Sequence, residues 1–221
     1  MSELNIKSTT IEKGLELVKG FLEKAIGPAI EELGETFADN VRLRRLKNQI
    51  RNFEKAKKIA DEAKIDIKQI NLKALVPYLE GVSLEEDETL QEMWANLFVN
   101  YIDSKKNLTI NVFPDILRQL STEEVDILRE MQENKRKDRI RVMPRALHGA
   151  MQEPFVYFDQ LANLERLGIV EKIAKYKSEM SKDEALMIGR PREEKYKIQQ
   201  LSPDYYKITD FGEQFLDACK R

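Results

Sequence analysis

Residues Glu85–Ile102, EEDETLQEMWANLFVNYI, carry the clearest structural pattern in the chain. The first four are acidic, which suits the positive end of a helix dipole, and Ser83 and Glu86 have the spacing of a capping box. Apolar side chains then recur at steps of three and four residues, as they do on one face of a helix: Leu90, Trp94, Leu97, Phe98, Tyr101 and Ile102. The stretch predicts a helix with one face in the core.

Upstream of this stretch, the sequence predicts a helix over Leu72–Gly81 and, before it, two further helices with apolar faces. One begins near Thr9 and ends at Ile26, and the other runs from Pro28 to about Ala63 without a strong helix breaker. An unbroken helix over the second range would be about 50 Å long. It must therefore kink, pack as an antiparallel hairpin with the first helix, or pair with a second copy of the chain as a homo-oligomer. We expect the hairpin.

The last hundred residues have the pattern of a winged helix. A helix over Phe155–Leu167 is followed by Gly168 as a left-handed C-cap and then by a strand. A later strand ends at Ile208, where Thr209 or Asp210 caps a final helix. The sequence thus predicts a mainly α fold. It has a helical N-terminal region with a long helix, residues 1–120, and a C-terminal winged-helix-like module with a small β-hairpin, residues 121–221.

Composition excludes several classes of protein. The chain has one cysteine, Cys219, and one histidine, His148, so neither a disulfide framework nor a Cys/His zinc site is available. No apolar run approaches the roughly 18 residues that cross a bilayer, and the polar N-terminus lacks the apolar core of a signal peptide. We therefore expect a cytoplasmic protein without a membrane span, a metal or a cofactor, and one that is not an enzyme.

Charge is unevenly distributed, although the net charge is only -2 from 37 basic and 39 acidic residues. One basic cluster lies on the predicted long helix and a second between Lys135 and Arg145, while the predicted wing has basic residues interleaved with acidic ones. Clustered cations predict contact with phosphate groups or with an acidic partner. Alternatively, they pair with the chain's own acidic residues between Glu80 and Glu92. The candidate contact residues are Arg42, Arg44, Arg45, Lys47 and Arg51 on the helix, and Lys172, Lys175 and Lys177 on the wing.

The predicted recognition helix of the winged-helix module is a poor reader of DNA. Base recognition in the major groove uses Arg, Lys, Asn or Gln. This helix offers Gln160, Asn163 and Arg166, but Asp159 and Glu165 lie among them. We therefore expect the module to serve packing or protein contact, and a DNA-binding transcriptional regulator is the alternative.

The run Leu79–Leu97, with Phe113-Pro114 and Ile116–Ser121 after it, resembles the bacterial abortive-infection alpha family. Its most specific part is the block Trp94-Ala95-Asn96-Leu97. The residues that match the family motif are Glu86, Asp87, Trp94 and Asn96. The resemblance implies a role in defence against phage and brings no catalytic residue with it. We therefore expect a non-enzymatic anti-phage protein that acts through contacts with a protein partner or with nucleic acid.

Overall fold

A computed structural model of the chain describes residues 2–27, 40–106, 108–133, 140–141, 158–173 and 205–221. Side chains are described at residues 12–27, 44–106, 108–132, 160–172 and 206–221. The chain divides into two units. We call Met1–Thr122 together with Glu213–Arg221 the helical unit, and Glu123–Gly212 the sheet unit.

Eight helices and three short strands lie within the described ranges. The helices are α1 (Ser2–Ile26), α2 (Asn40–Ala63), α3 (Leu72–Leu84), α4 (Glu88–Ile102), α5 (Phe113–Leu117), α6 (Thr122–Glu133), α7 (Phe158–Arg166) and α8 (Asp210–Ala218). The strands are β1 (Ile140–Arg141), β2 (Val170–Ile173) and β3 (Tyr205–Ile208). The predicted mainly helical chain with a small antiparallel hairpin near its C-terminus is confirmed. None of the described helices combines the length and the apolar content that crossing a membrane requires.

The division at residues 120 and 121 stays a prediction. The structure places the segment Glu213–Arg221 in the helical unit, so the chain passes from one unit to the other twice, at the start of α6 and within α8.

The core of the helical unit is built around Phe98 of α4. Its ring lies 6.0 Å from that of Phe21 on α1, 5.3 Å from that of Phe53 on α2 and 5.0 Å from that of Tyr78 on α3. All four rings are buried. Aromatic pairs at these separations add to the free energy of apolar burial. One residue of α4 therefore holds three other helices in contact, as the apolar period of Glu85–Ile102 predicts.

Helices α1 and α2 run parallel. A Cβ atom added to Gly14 would lie only 2.7 Å from Ile50 Cγ2, so these two residues lie at the same height along the pair of helices. Near the end of α1, Ala25 O accepts a hydrogen bond of 2.9 Å from Ile70 N. In an antiparallel pair, Ile70 would have to return about 36 Å from Ala63 along α2, although seven residues span at most about 25 Å. The predicted antiparallel hairpin is therefore wrong for α1 and α2.

The first helix begins earlier than the sequence predicts. Helix α1 begins at Ser2 and not near Thr9, and no glycine or proline between them interrupts it. Residues 28–39, the first part of the predicted long helix, lie outside the described residues. The described part of that helix is α2, whose apolar residues Leu46, Ile50 and Phe53 are buried.

The sheet unit contains an antiparallel sheet with strand order β1–β3–β2. Helix α7 ends in the predicted left-handed turn, in which Gly168 has φ of 73° and Ile169 N donates to Leu164 O at 3.0 Å. The chain then enters β2, where Val170 pairs with Ile208 of β3. A glycine at residue 168 thus converts the end of a helix into the start of a strand.

Thr209 caps α8, which was one of the two predicted options. Its hydroxyl oxygen accepts a hydrogen bond of 2.9 Å from Gly212 N, while the hydroxyl group donates to Gly168 O at 2.6 Å. A Cβ atom at residue 212 would lie 2.2 Å from Ile169 O. Only glycine allows the first turn of α8 to approach this backbone so closely.

Candidate functional site

A buried hydrogen-bond network joins α2 to α3 and α4. The Tyr78 hydroxyl donates to Asn52 Oδ1, and Asn52 Nδ2 donates to both the backbone oxygen and Oε1 of Gln91, each at 2.7 Å. Gln91 Nε2 donates in turn to Glu85 O at 2.8 Å. We call Asn52, Tyr78 and Gln91 the buried polar joint. Because an unmet polar group in the interior is costly, the joint fixes how α2 lies on the other two helices.

Two more side chains of α2 extend this junction along α3. Asn48 Nδ2 donates to Ser83 O at 3.1 Å, and Gln49 Nε2 donates to Leu79 O at 3.0 Å. The last carbonyl groups of a helix have no partner within it. Ser83 O is one of these groups, so α2 supplies a hydrogen bond to the C-terminal end of α3, while the bond to Leu79 O lies one turn earlier.

The motif residue Asp87 is the N-cap of α4. Asp87 Oδ1 accepts hydrogen bonds from Thr89 N at 2.9 Å and from Leu90 N at 3.1 Å. The predicted capping box of Ser83 and Glu86 is wrong. Helix α3 continues through Leu84, and the Ser83 hydroxyl donates to Glu80 O within that helix. Asp87 thus has a structural role at the start of the motif helix.

The motif residue Trp94 is fully buried against α3. A Cβ atom added to Gly81 would lie 2.4 Å from Trp94 Cη2, so the indole occupies the space that glycine leaves open. The Tyr78 ring meets Trp94 edge to face at 5.4 Å. Trp94 Nε1 is buried without a hydrogen-bond partner in the described part of the chain. Trp94 therefore serves packing, while the fourth motif residue, Asn96, is half-buried on the same helix.

A group of ion pairs lies on the solvent side of the same junction. Arg44 binds the motif residue Glu86 through two contacts, Nε to Oε1 at 2.6 Å and Nη2 to Oε2 at 2.8 Å. Arg51 and Lys55 both bind Glu88. We call these five residues the ion-pair cluster. Exposure of the five side chains runs from 25% for Lys55 to 71% for Arg44, so water screens each pair.

The cluster lowers the pKa of Glu88. The hydrogen bond from the Lys55 ammonium is the main cause, and the positive charges of Lys55 and Arg51 add to it. Partial desolvation acts in the opposite direction and is outweighed. Glu88 is therefore ionised throughout the neutral pH range, and the cluster keeps its charges.

The other predicted contact residues fall into three groups. Arg45 and Lys47 are exposed, and neither forms an ion pair within the described residues. Lys172 is exposed on β2 in the sheet unit. The structure thus brings Arg44, Lys47 and Arg51 to one face of α2. Arg42, Lys175 and Lys177 lie outside the described side chains, as does His148, which was not a predicted contact residue.

The last residues of the chain are fixed to the end of α4. Asn100 Nδ2 donates to Ala218 O at 2.7 Å and to Lys220 O at 3.2 Å. Arg221 Nη2 lies 2.7 Å from Asp103 Oδ2, and the two side chains are only 20% and 5% exposed. Burial raises the pKa of Asp103, but the backbone N–H of Lys105 and the Arg221 guanidinium outweigh that effect and hold the pKa below its usual value.

In the sheet unit, the polar side chains of α7 bind within the unit. Gln160 Nε2 donates to Glu123, and Asn163 Nδ2 donates to Glu124 Oε1 at 2.7 Å. Arg166 Nη2 donates to Asn163 Oδ1, also at 2.7 Å. The groups that could read base edges are therefore engaged with α6 and with each other.

Groups suited to catalysis are sparse in the described part of the chain. No cluster of three or more His, Cys, Asp or Glu side chains there is arranged to hold a metal ion. Cys219 is buried, and burial raises the pKa of its thiol well above the usual value. A thiol in this state is a poor nucleophile.

The buried polar joint was missed by sequence reasoning. Asn48 and Asn52 are four residues apart beside the apolar face of α2, and Gln91 lies on α4, where most residues are buried. Polar residues at such positions are a usable signal, because buried polar groups need partners. Their pairing across 26 to 39 residues of sequence is set by the packing of the helices.

Comparison with known proteins identifies the family of this chain. The abortive infection alpha family model matches residues 38–219, most of the chain and all of its motif residues. Searches of curated proteins and of solved structures found no match. The match confirms the resemblance seen in the sequence, and the chain belongs to the abortive infection alpha family.

Proposed function

We propose that this protein is a cytoplasmic, non-enzymatic anti-phage defence protein that acts by contact with a protein or a nucleic acid. The observation that carries the proposal is the family match over residues 38–219. The arrangement of the motif supports action by contact. Asp87 caps α4 and Trp94 fills the core above Gly81, so these motif residues build the fold and leave the surface of α2 to meet a partner.

We also infer that the sheet unit is a winged helix. The order α6, β1, α7, β2, β3 and the sheet order β1–β3–β2 support this inference, because a winged helix pairs its first strand with the last strand of the wing. The same order favours a second candidate function, that of a winged-helix transcriptional regulator. Against it, Gln160, Asn163 and Arg166 form hydrogen bonds inside the unit. Packing or protein contact therefore suits α7 better than groove reading.

Measuring phage progeny per infected cell tests the proposed function. The chain is expressed in a susceptible bacterial host, and a panel of unrelated phages is plated on it and on the host with an empty vector. We expect fewer plaques and fewer progeny for at least one phage. Trp94→Ala removes a large, fully buried side chain from the core and should abolish the effect. Equal plating across a broad panel, with the soluble protein present, would contradict the proposal.

The regulator alternative has a separate test. A promoter-directed winged helix should select a sequence from a random duplex pool, and Arg166→Ala together with Lys172→Ala should change that selection. We expect no sequence enrichment. A reproducible enriched motif that is lost in the double variant would replace our proposal with the regulator.

A further inference from the structure

Five cations follow one face of α2 at steps of three or four residues. Such steps place side chains in a single row along a helix, and the row is about 21 Å long at 1.5 Å per residue. The opposite face, with Leu46, Ile50 and Phe53, is buried in the core. We call this row the basic stripe; it consists of Arg44, Lys47, Arg51, Lys55 and Lys58.

The basic stripe already holds anions. Glu86 places both carboxylate oxygens against the Arg44 guanidinium, and Glu88 places both of its oxygens against Arg51 and Lys55. A planar guanidinium binds carboxylate and phosphate in the same two-point geometry. The two-point contact of Arg44 with Glu86 is therefore the one that phosphate oxygens would make, and Arg51 contributes a single contact from Nη2.

The stripe offers charge without apolar anchors. The large apolar side chains that are exposed in the described part of the chain are Leu17, Leu72, Val76, Leu84 and Val112, and none of them lies on α2. Protein interfaces are centred on buried apolar and aromatic anchors, whereas contact with a nucleic acid backbone needs only spaced cations. The chemistry of the stripe thus favours a nucleic acid over an acidic protein.

We propose that the basic stripe binds the phosphate backbone of nucleic acid, and that Glu86 and Glu88 are internal competitors that weaken this binding. The proposal names a partner for the contact function proposed above and rests on that function for its role in defence. Phosphate groups displace the two carboxylates from Arg44, Arg51 and Lys55, while Lys47 adds a cation that forms no ion pair within the described residues. No base edge is read, so binding is independent of sequence and falls with salt.

Fluorescence anisotropy with a labelled random-sequence duplex and a labelled single strand tests the proposal. Glu86→Gln with Glu88→Gln removes both competitors, and Glu23→Gln with Glu92→Gln makes the same charge change at other exposed positions. Because two weak surface contacts are lost, we expect the first pair to bind about fivefold to thirtyfold more tightly than the wild type. Equal affinity of the two double variants for nucleic acid would show that Glu86 and Glu88 do not compete with it for the stripe.

The opposite change removes cations from the stripe. Lys47→Gln with Arg51→Gln should weaken binding at least about tenfold and reduce the slope of log K against log salt by about two. Lys19→Gln with Lys73→Gln makes the same charge change on α1 and α3. This pair should change both the affinity and the salt slope less. Equal losses in both pairs would show a general charge effect and would overturn the stripe as the binding face.

A competition experiment distinguishes nucleic acid from an acidic protein as the partner of the basic stripe. Polyglutamate that competes as well as unlabelled nucleic acid would show that the stripe binds an acidic protein and would overturn the proposal.

The binding and plating tests together distinguish this proposal from the proposed function. No binding at low salt by the wild type and by Glu86→Gln/Glu88→Gln would overturn the proposal while leaving plating protection intact. If the wild type binds nucleic acid but gives no protection in the plating test, the proposed function fails and the stripe stands. We expect binding and protection together, with both lost in Lys47→Gln/Arg51→Gln.

Discussion

Helix α2 is attached to the region around α3 and α4 in two places that differ in their exposure to water. On the core side, Asn52, Tyr78 and Gln91 are fully buried and bonded to one another. On the solvent side, Arg44 and Arg51 bind Glu86 and Glu88 at the surface. The two attachments are neighbours, because Glu85 O also accepts from Gln91 and so ties the joint to the acidic segment that forms the ion-pair cluster.

Because of this difference in exposure, the buried attachment contributes to stability, whereas the exposed one can exchange its anions. A buried polar group that loses its partner costs free energy, since water cannot replace the partner. An exposed ion pair that opens is solvated at once and costs little. The buried polar joint can therefore hold α2 in place while the ion-pair cluster opens and takes other anions.

The largest expected effect comes from breaking the buried polar joint. Asn52→Ala leaves the Tyr78 hydroxyl and Gln91 Oε1 unsatisfied in the core, and we expect it to lower the free energy of unfolding by about 3 kcal/mol. Urea denaturation followed by circular dichroism measures the change. Lys58→Ala on the exposed face of α2 is the control and should have little effect. A loss no greater than that of the control would show that the joint does not hold α2.

The second-largest effect is expected from overpacking the core beside the buried polar joint. The Cβ of Gly81→Ala would collide with the buried indole of Trp94, and we expect a loss of about 2 kcal/mol. Gly20→Ala is the control, because nothing lies within 4 Å of its Cβ; it should raise stability by up to about 1 kcal/mol.

A double-mutant cycle tests whether the free-energy cost of Gly81→Ala comes from its contact with Trp94. If Gly81 makes room for the indole, Trp94→Phe should tolerate Gly81→Ala better than the wild type does, and the two free-energy changes should not add. Additive changes would place the cost of Gly81→Ala elsewhere.

The pair of Asp103 and Arg221 is an intermediate case, because it is an ion pair that is mostly buried. We expect Arg221→Gln to lower the free energy of unfolding at pH 7 by about 2 kcal/mol. The pKa of Asp103 is lowered in the folded protein, so its stabilising contribution is present above the unfolded pKa of about 3.9 and is lost as pH falls through the lower folded value. The difference between wild type and variant should therefore shrink below about pH 4.

Lys220→Gln is the control for this prediction, because Lys220 is exposed on the same segment. Denaturation curves at several pH values measure both variants. A difference between wild type and Arg221→Gln that stays constant down to pH 3 would mean that Arg221 acts by packing and not by charge.

The smallest expected effect is that of the ion-pair cluster on stability. Glu86→Gln with Glu88→Gln removes both carboxylates from the cluster but leaves Asp87 as the cap of α4. We expect the thermal midpoint to fall by at most about 4 °C, because exposed ion pairs and acidic residues at the start of a helix each contribute little. A shift as large as that of Asn52→Ala would erase the distinction between the two attachments.

Sequence reasoning predicted the local features of this fold and missed the distant ones. The period of α4, the left-handed Gly168 and the Thr209 cap depend on residues within one or two turns of each other, so the sequence displays them directly. The parallel packing of α1 and α2 depends on the contact of Ala25 with Ile70, across 45 residues, and no local pattern encodes it.

The candidate site divides in the same way. Clustered cations on α2 and acidic residues before α4 were visible in the sequence. Which cation meets which acid depends on how the buried polar joint seats α2. The cap of α4 was misassigned to Ser83 because α3 continues past Gly81 to Leu84, so that Ser83 lies inside α3 and Asp87 is the cap.

The central claim is that the protein acts in defence through the exposed face of α2. Phage progeny per infected cell tests it most directly, in cells that express equal amounts of the wild type, Lys47→Gln/Arg51→Gln or Lys19→Gln/Lys73→Gln. We expect the wild type and the second pair to reduce progeny equally, and the first pair to release as many progeny as the empty vector. Full protection by Lys47→Gln/Arg51→Gln would contradict the claim.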